Sequence, residues 1–242
     1  WRIDKNGQVS IAVTHAHTHE LLLRNGILYG EDLRYVDSTE SWTNRVWQYS
    51  SSKGVTDKLA SQPRLRVDFS FVQDEAGNLY RPSEDFRKIE RFRLNSEEAQ
   101  VIAKLNHQAQ WLLLDSNETL FYMDGFDLMK LAPGAQPQIY AKNISGSSDS
   151  WTFDDNRHDF MGLWTDKMGV VYLAHAAEGE VLAVSQDGRV TTLYESGWFW
   201  LPTGGLVDDD GALWVLEYSR FNSVRVNKVI EGRVVATFKG EG

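Results

Sequence analysis

Apolar and polar positions alternate in short runs along most of the chain, and tight-turn residues break the runs at regular intervals. The clearest instance lies between Gly162 and His175. Leu163 to Thr165 is apolar and ends at Asp166, while Val170 to Leu173 is β-branched and aromatic and starts directly after Gly169. This pattern predicts two strands joined by a tight turn. With that glycine as position zero, the same unit recurs at Gly26, Gly77, Glu118, Gly169 and Gly211, spaced 51, 41, 51 and 42 residues apart. Two places after zero stand Leu28, Leu79, Leu120, Val171 and Leu213, and one place further Tyr29, Tyr80, Phe121, Tyr172 and Trp214. Three places before zero stand Asp74, Asp115, Asp166 and Asp208, with Leu23 the exception. A carboxylate there suits turn-capping of the following backbone amides, so these aspartates read as structural.

A second hairpin follows each of these units. Its turns are Pro133-Gly134, Gln186-Asp187-Gly188 and Glu231-Gly232, and Trp1 to Val13 repeats the type around Lys5-Asn6-Gly7. Four strands at a period of about 40 to 50 residues predict an all-β fold, a β-propeller of four-stranded blades, as one domain over 1–242. The chain opens on half a blade and continues with five complete units, so six blades are expected, with five as the alternative. Residues before Trp1 are the expected source of the missing inner half. The start at Trp1, without methionine and inside a strand-like pattern, points to a removed upstream segment, and leaves a cytoplasmic and an exported protein both open. Two stretches, Asp32 to Thr43 and Ile144 to Asp159, read as insertions, and Gly204-Gly205 as turn chemistry.

Composition narrows the partners. A formal net charge of −9 offers no basic footprint for nucleic acid. No apolar run approaches the length of a membrane span. The absence of cysteine excludes disulfides and thiolate metal sites.

In this fold the segment leading into each first strand and the segment leaving each second strand meet at one end, the channel mouth. All six histidines fall on such segments. Eleven places before zero stand His15, Arg66, His107, His158 and Trp200, with His17, His19 and Asp68 close behind in blades one and two. Six places after zero stand Asp32, Ser83, Asp124, His175 and Glu217. In an extended segment His15, His17 and His19 point the same way, and neutral imidazoles are common metal ligands. Together with Glu31, Asp68, Asp124 and His175 they are the candidate ligands of a divalent cation; the alternative reading is plain structural histidines. His158 with Asp159 is a candidate general base with its orienting carboxylate, and Glu217 a candidate catalytic carboxylate facing the channel. Arg66 is its candidate partner or a holder of anionic substrate. Trp42, Trp151 and Trp200 form an aromatic rim suited to a small-molecule or carbohydrate ligand.

The units Pro202 to Val215 and Gly162 to Leu173 resemble repeats of the gluconolactonase and regucalcin-like propellers and of the NHL-repeat proteins. The resemblance covers all five units. It implies a six-bladed fold and one divalent cation at the channel, held by a glutamate, asparagines and an aspartate, which activates a lactone or its attacking water. At the mouth this chain carries histidines with Glu31, Asp124 and Glu217, and the asparagines are missing. Two functions are therefore expected: a metal-assisted hydrolase of lactone or ester type, or a lyase; and, as the alternative, a non-catalytic propeller that binds a carbohydrate, peptide or partner protein.

Overall fold

A computed structural model of the chain describes residues 2–3, 7–11, 13, 18–24, 27–36, 38, 41–50, 54–59, 71–83, 85–93, 98–109, 111–144, 159–219, 221 and 223–239; for 18–24, 31–36, 41–46 and 55–59 this is the backbone alone. Among them are 22 strands and no α-helix, arranged as five four-stranded antiparallel sheets and one two-stranded sheet. No helix among the described residues is long and apolar enough to cross a membrane. The chain divides into two compact units, Trp1–Ser70 and Phe71–Gly242.

The first unit contains the hairpin β1 (Arg2–Ile3) and β2 (Val9–Ser10), and one sheet of β3 (Thr18–Arg24), β4 (Ile27–Val36), β5 (Ser41–Ser50) and β6 (Gly54–Leu59), paired in chain order. The stretch from Asp32 to Thr43 is mostly an extension of the β4–β5 hairpin, not a looped insertion. Its register runs unbroken from Leu28↔Tyr49 to Val36↔Ser41, with Tyr35 opposite Trp42. Aromatic and β-branched residues facing each other across the strands favour continued pairing over a loop.

The second unit holds four sheets. They are β7 (Val72–Gln73), β8 (Asn78–Pro82), β9 (Lys88–Arg93) and β10 (Ala99–Lys104); β11 (Leu112–Leu114), β12 (Leu120–Asp124), β13 (Asp127–Leu131) and β14 (Gln138–Ala141); β15 (Phe160–Thr165), β16 (Val171–His175), β17 (Glu180–Val184) and β18 (Val190–Glu195); and β19 (Trp200–Val207), β20 (Leu213–Ser219), β21 (Val224–Ile230) and β22 (Arg233–Lys239). Within each, the four strands pair in chain order. The first strands lie side by side, β7 against β11, β11 against β15 and β15 against β19. These are β-propeller blades, the second to fifth of the chain.

Strand alternation explains how the blades pack. Leu120 and Tyr122 of β12 join Val72, Ile89 and Ala103 of the preceding blade, while Phe121 and Met123 turn the other way onto Val171, Leu173, Leu182 and Val184. Tyr172, Ala174, Val181 and Ala183 in turn meet Leu213, Val215 and Val229 of blade five. The middle strands β12, β16 and β17 are therefore apolar on both faces, which is why they read as nearly continuous hydrophobic runs. Val171, Leu173, Val181 and Val184 have no exposed surface, and each such side chain contributes about 1.5–3 kcal/mol by leaving water.

Gly204-Gly205 lies within β19 rather than in a turn. A side chain on Gly205 would stand 2.5 Å from the Trp214 carbonyl oxygen and 2.8 Å from the Trp164 ring, and one on Gly162 would stand 2.6 Å from the Thr203 carbonyl oxygen. The missing Cβ atoms let the first strands of blades four and five approach closely.

The repeated aspartate and aromatic form one device. Asp166 Oδ1 accepts from the Met168 and Val170 amides at 2.8 and 3.0 Å, and its Oδ2 accepts from Tyr172 Oη at 2.7 Å. Asp208 does the same for Asp210, Ala212 and Trp214 Nε1, and Asp74 for Asn78 and Tyr80. In blade three Phe121 has no donor, and Asp115 caps only the amides of Asn117 and Thr119. Position zero is left-handed in all four blades, with φ of 83, 59, 76 and 80° at Gly77, Glu118, Gly169 and Gly211. Burial, then the bond to Asp166, pushes the Tyr172 hydroxyl well above its ordinary range. Asp166→Ala strips the partner from a buried hydroxyl and two turn amides, and is expected to lower stability by about 2–3 kcal/mol in urea denaturation; a change under half that size would remove the device from the stability of blade four.

Candidate functional site

In blades three, four and five the lead-in to the first strand and the exit of the second lie together. In blade five Pro202 of β19 faces Glu217 of β20, and in blade four Phe160 of β15 faces His175 of β16. In blade three the Asp124 carboxylate accepts from the amides of Asn106 and His107, at 3.0 and 2.7 Å. The polar residues six places after zero therefore form a natural comparison across four blades.

In blade two Ser83 Oγ accepts from the Lys88 amide and donates to Asp85. In blade three Asp124 also accepts from the Asn106 side chain, and His107 Nδ1 lies 3.3 Å from its Oδ1 while the His107 side chain is 62 % exposed. Both residues close their own loops.

In blade five Glu217 has no exposed surface. The pleat puts Leu213, Val215 and Glu217 on one face, the one packed against blade four, so the carboxylate lies in the seam between blades and does not face the channel. Oε1 accepts from Tyr194 Oη at 3.0 Å and from Ser196 Oγ; Oε2 accepts from Arg225 Nε and Asn227 Nδ2, both at 2.6 Å. Thr237 Oγ1 holds the Asn227 oxygen at 2.7 Å. The cationic partner is Arg225, whose guanidinium carbon lies 3.9 Å from the centre of the Trp200 ring. Burial, then the Glu217 charge, raises the Tyr194 hydroxyl above its usual range and keeps it a donor.

Blade four differs. His175 is 2 % exposed and stacks on Phe160, with ring centroids 4.7 Å apart and planes at 17°. Its Nδ1 is buried and bonds to nothing among the described residues. Asp159, 1 % exposed, is adjacent at the start of β15, and its carbonyl accepts from the Ala177 amide. Burial pulls the His175 pKa down, against the charges of Glu180, Glu178 and Asp159. The outcome is a neutral imidazole near neutral pH, with a buried nitrogen that has no partner among the described residues.

The structure thus brings Asp159 and His175 together, and joins Glu217 to Trp200 through Arg225. His15, His17, Arg66, Asp68, Trp151 and His158 lie outside the described residues. His19, at the irregular step in the β3–β4 register, Glu31 opposite Val46, and Trp42 are described by their backbone alone. Among the described residues no group of three or more His, Asp or Glu side chains is placed to share a cation. Asp124 is committed to its loop and Glu217 to its four donors, so these side chains do not by themselves fit a cation site. Arg225, Tyr194, Ser196 and Asn227 escaped the sequence reading because their meeting depends on two adjacent blades. The alternation of β20, which sends Glu217 the way of Val215, was the available signal.

No protein-family model matches the chain, and no curated protein matches it in sequence. Solved structures match in fold. A catalytically inactive histidine-to-alanine variant of virginiamycin B lyase from Staphylococcus aureus, with quinupristin, superposes with a TM-score of 0.58 at 9 % identity, covering 98 % of this chain and 75 % of that one. A chain of a nidogen/laminin complex gives 0.59 at 15 % identity over 88 % and 76 %. A luciferin-regenerating enzyme gives 0.57 at 16 % identity over 88 % and 72 %. A streptogramin B lyase also matches, and the chain spans 54 % of its length. The neighbours further include a gluconolactonase-family protein, at 16 % identity and a TM-score of 0.51 over 84 % and 77 %. At these identities the likeness establishes the β-propeller fold.

Proposed function

We propose that the protein is a hydrolase or lyase of a small carbonyl compound, an ester or lactone foremost, with His175 as proton acceptor and Asp159 beside it. The observation that supports this is the departure of His175 from its counterparts. Ser83, Asp124 and Glu217 spend their polar atoms on structure, whereas His175 Nδ1 is buried without a partner among the described residues. Trp164 Nε1 of the same blade is also buried without a partner among the described residues, but only the imidazole can exchange a proton near neutral pH. In a hydrolysis the imidazole takes a proton from water as the water oxygen bonds to the carbonyl carbon, then returns it to the departing alkoxide. In an elimination it takes the proton beside the carbonyl, and the carbon–oxygen bond beyond it breaks. Fold neighbours that include lyases and a gluconolactonase-family protein fit this reading.

A divalent cation remains part of the proposal through His15, His17, His19, Glu31 and Asp68, and no step above depends on it. Plasma mass spectrometry before and after chelation is expected to find a stoichiometric metal that the chelator removes; a metal-free protein that also fails to take up zinc, manganese or calcium ends the metal-assisted form. His158, Arg66, Trp42, Trp151 and Trp200 stay proposed contacts of catalysis or substrate.

Exposed rings at Trp198 and Phe221, 87 % and 75 % accessible, favour a second reading, a module that binds a carbohydrate, peptide or partner protein without turnover. A panel of lactones, esters and cyclic depsipeptides, run with and without added metal, separates the two. Turnover of at least one class is expected. If folded protein turns over none of them and a glycan or peptide array gives a hit, the binding module is the correct reading.

A further inference from the structure

We propose that Arg225 is an anion-binding residue, and that the seam of blades four and five takes the carboxylate of a small organic acid bearing a flat apolar group. Three observations lead there. First, the guanidinium is fixed: Nε is held by the fully buried Glu217 at 2.6 Å, and its face lies on the Trp200 indole with Cζ 3.9 Å from the ring centre. An arginine pinned at one nitrogen and one face has already given up the side-chain freedom that binding normally removes.

Second, the guanidinium is incompletely used. Among the described residues Nη1 and Nη2 donate to nothing, while the side chain keeps 18 % exposure. The nitrogens left over form the end-on edge of the fork, which matches the two oxygens of a carboxylate. Glu217 already offsets one positive charge, and the chain carries a formal net charge of −9, so a monoanion suits the position better than a dianion.

Third, the segments that carry Trp200 and Arg225 also carry exposed apolar area. Trp198, Phe199 and Phe221 are 87 %, 50 % and 75 % exposed, and the Phe199 and Phe221 rings, from the segments before β19 and between β20 and β21, are 5.7 Å apart. Trp198 and Phe199 directly precede Trp200, and Phe221 lies four residues before Arg225, so exposed rings that pair across two segments at this end of the blade offer a flat surface for the non-ionic part of the acid. The inference requires only that this end of the blades binds a small molecule, whether or not that molecule is turned over.

The test uses three probes of like shape, phenylacetate, phenylacetamide and phenyl phosphate, titrated by calorimetry or NMR at low salt. Phenylacetate is expected to bind roughly tenfold or more tightly than phenylacetamide, the effect of one charge-assisted pair, and more tightly than phenyl phosphate. Arg225→Lys keeps the charge beside Glu217 but lacks the second pair of N–H groups, and is expected to lose roughly tenfold in phenylacetate affinity. The comparison of acid with amide needs no variant, so it decides the question even if Arg225→Lys does not fold. His175→Phe is expected to leave phenylacetate binding unchanged, which separates a failed anion site from a failed catalytic reading. Equal binding of acid and amide, no binding up to the solubility limit, tighter binding of phenyl phosphate, or full binding by Arg225→Lys would each overturn the proposal.

Discussion

Glu217→Ala is expected to destabilise the second unit by about 3–5 kcal/mol, the cost of removing one partner from a buried ion pair. The variant leaves the Arg225 guanidinium charged beside the seam, and it strips the acceptor from Tyr194, Ser196 and Asn227 at once. The 18 % exposure of Arg225 lets water reach part of its charge and draws the loss towards the lower end of that range. Glu217→Gln is expected to cost less. Its carbonyl can face Arg225 and Asn227, while its amino group turns to the hydroxyls of Tyr194 and Ser196, which can rotate to accept. The double variant Glu217→Gln with Arg225→Gln is expected to lose less than the sum of the single changes, because neither charge is then left alone. Urea denaturation of the parent, Glu217→Ala, Glu217→Gln, Arg225→Gln and the double variant measures this. A strictly additive result, or a Glu217→Ala protein as stable as the parent, would mean that the carboxylate is not a structural anchor and would return it to the candidates for chemistry.

The blade architecture was legible because every level of the sequence points the same way. Apolar alternation, the turn aspartate and the aromatic six places after it repeat in register, and the structure joins the last two by a hydrogen bond in blades two, four and five. The convergence of lead-in and exit segments was also legible, since Phe160 meets His175 and Asp124 meets the His107 amide. What a repeat cannot report is which neighbour a side chain meets across the seam between blades. Glu217 and His175 occupy one register position, yet Glu217 finds Tyr194 and Ser196 of blade four waiting across the seam, while His175 stacks on Phe160 of its own blade. Equivalent positions diverge in role according to the side chains that reach them, and for Glu217 that information lies in residues of another blade, 21 and 23 positions away in the chain. The same limit hid the extended β4–β5 hairpin, whose polar residues suggested a loop until the pairing of Tyr35 with Trp42 set them in strands.

His175→Phe is expected to cut turnover by about two to four orders of magnitude, the usual contribution of a positioned general base, while the protein stays folded. Phenylalanine keeps a ring against Phe160 and removes both nitrogens, so a purely structural histidine would be replaced at little loss. The pH dependence gives a second readout with a definite sign. Burial depresses the His175 pKa below its ordinary 6.5. The unfolded chain therefore takes up the proton first as pH falls, and the stability tied to the neutral imidazole is present above about pH 6.5 and lost progressively below it. The parent should lose stability on acidification through that window more steeply than His175→Phe, which has no proton to bind. The acid limb of kcat/KM should likewise fall below pH 6.5, because the depressed value keeps the base neutral further into acid. Full activity in His175→Phe would remove the histidine from the chemistry. An unchanged acid stability profile would show that the imidazole titrates in the folded protein as it does in the unfolded chain.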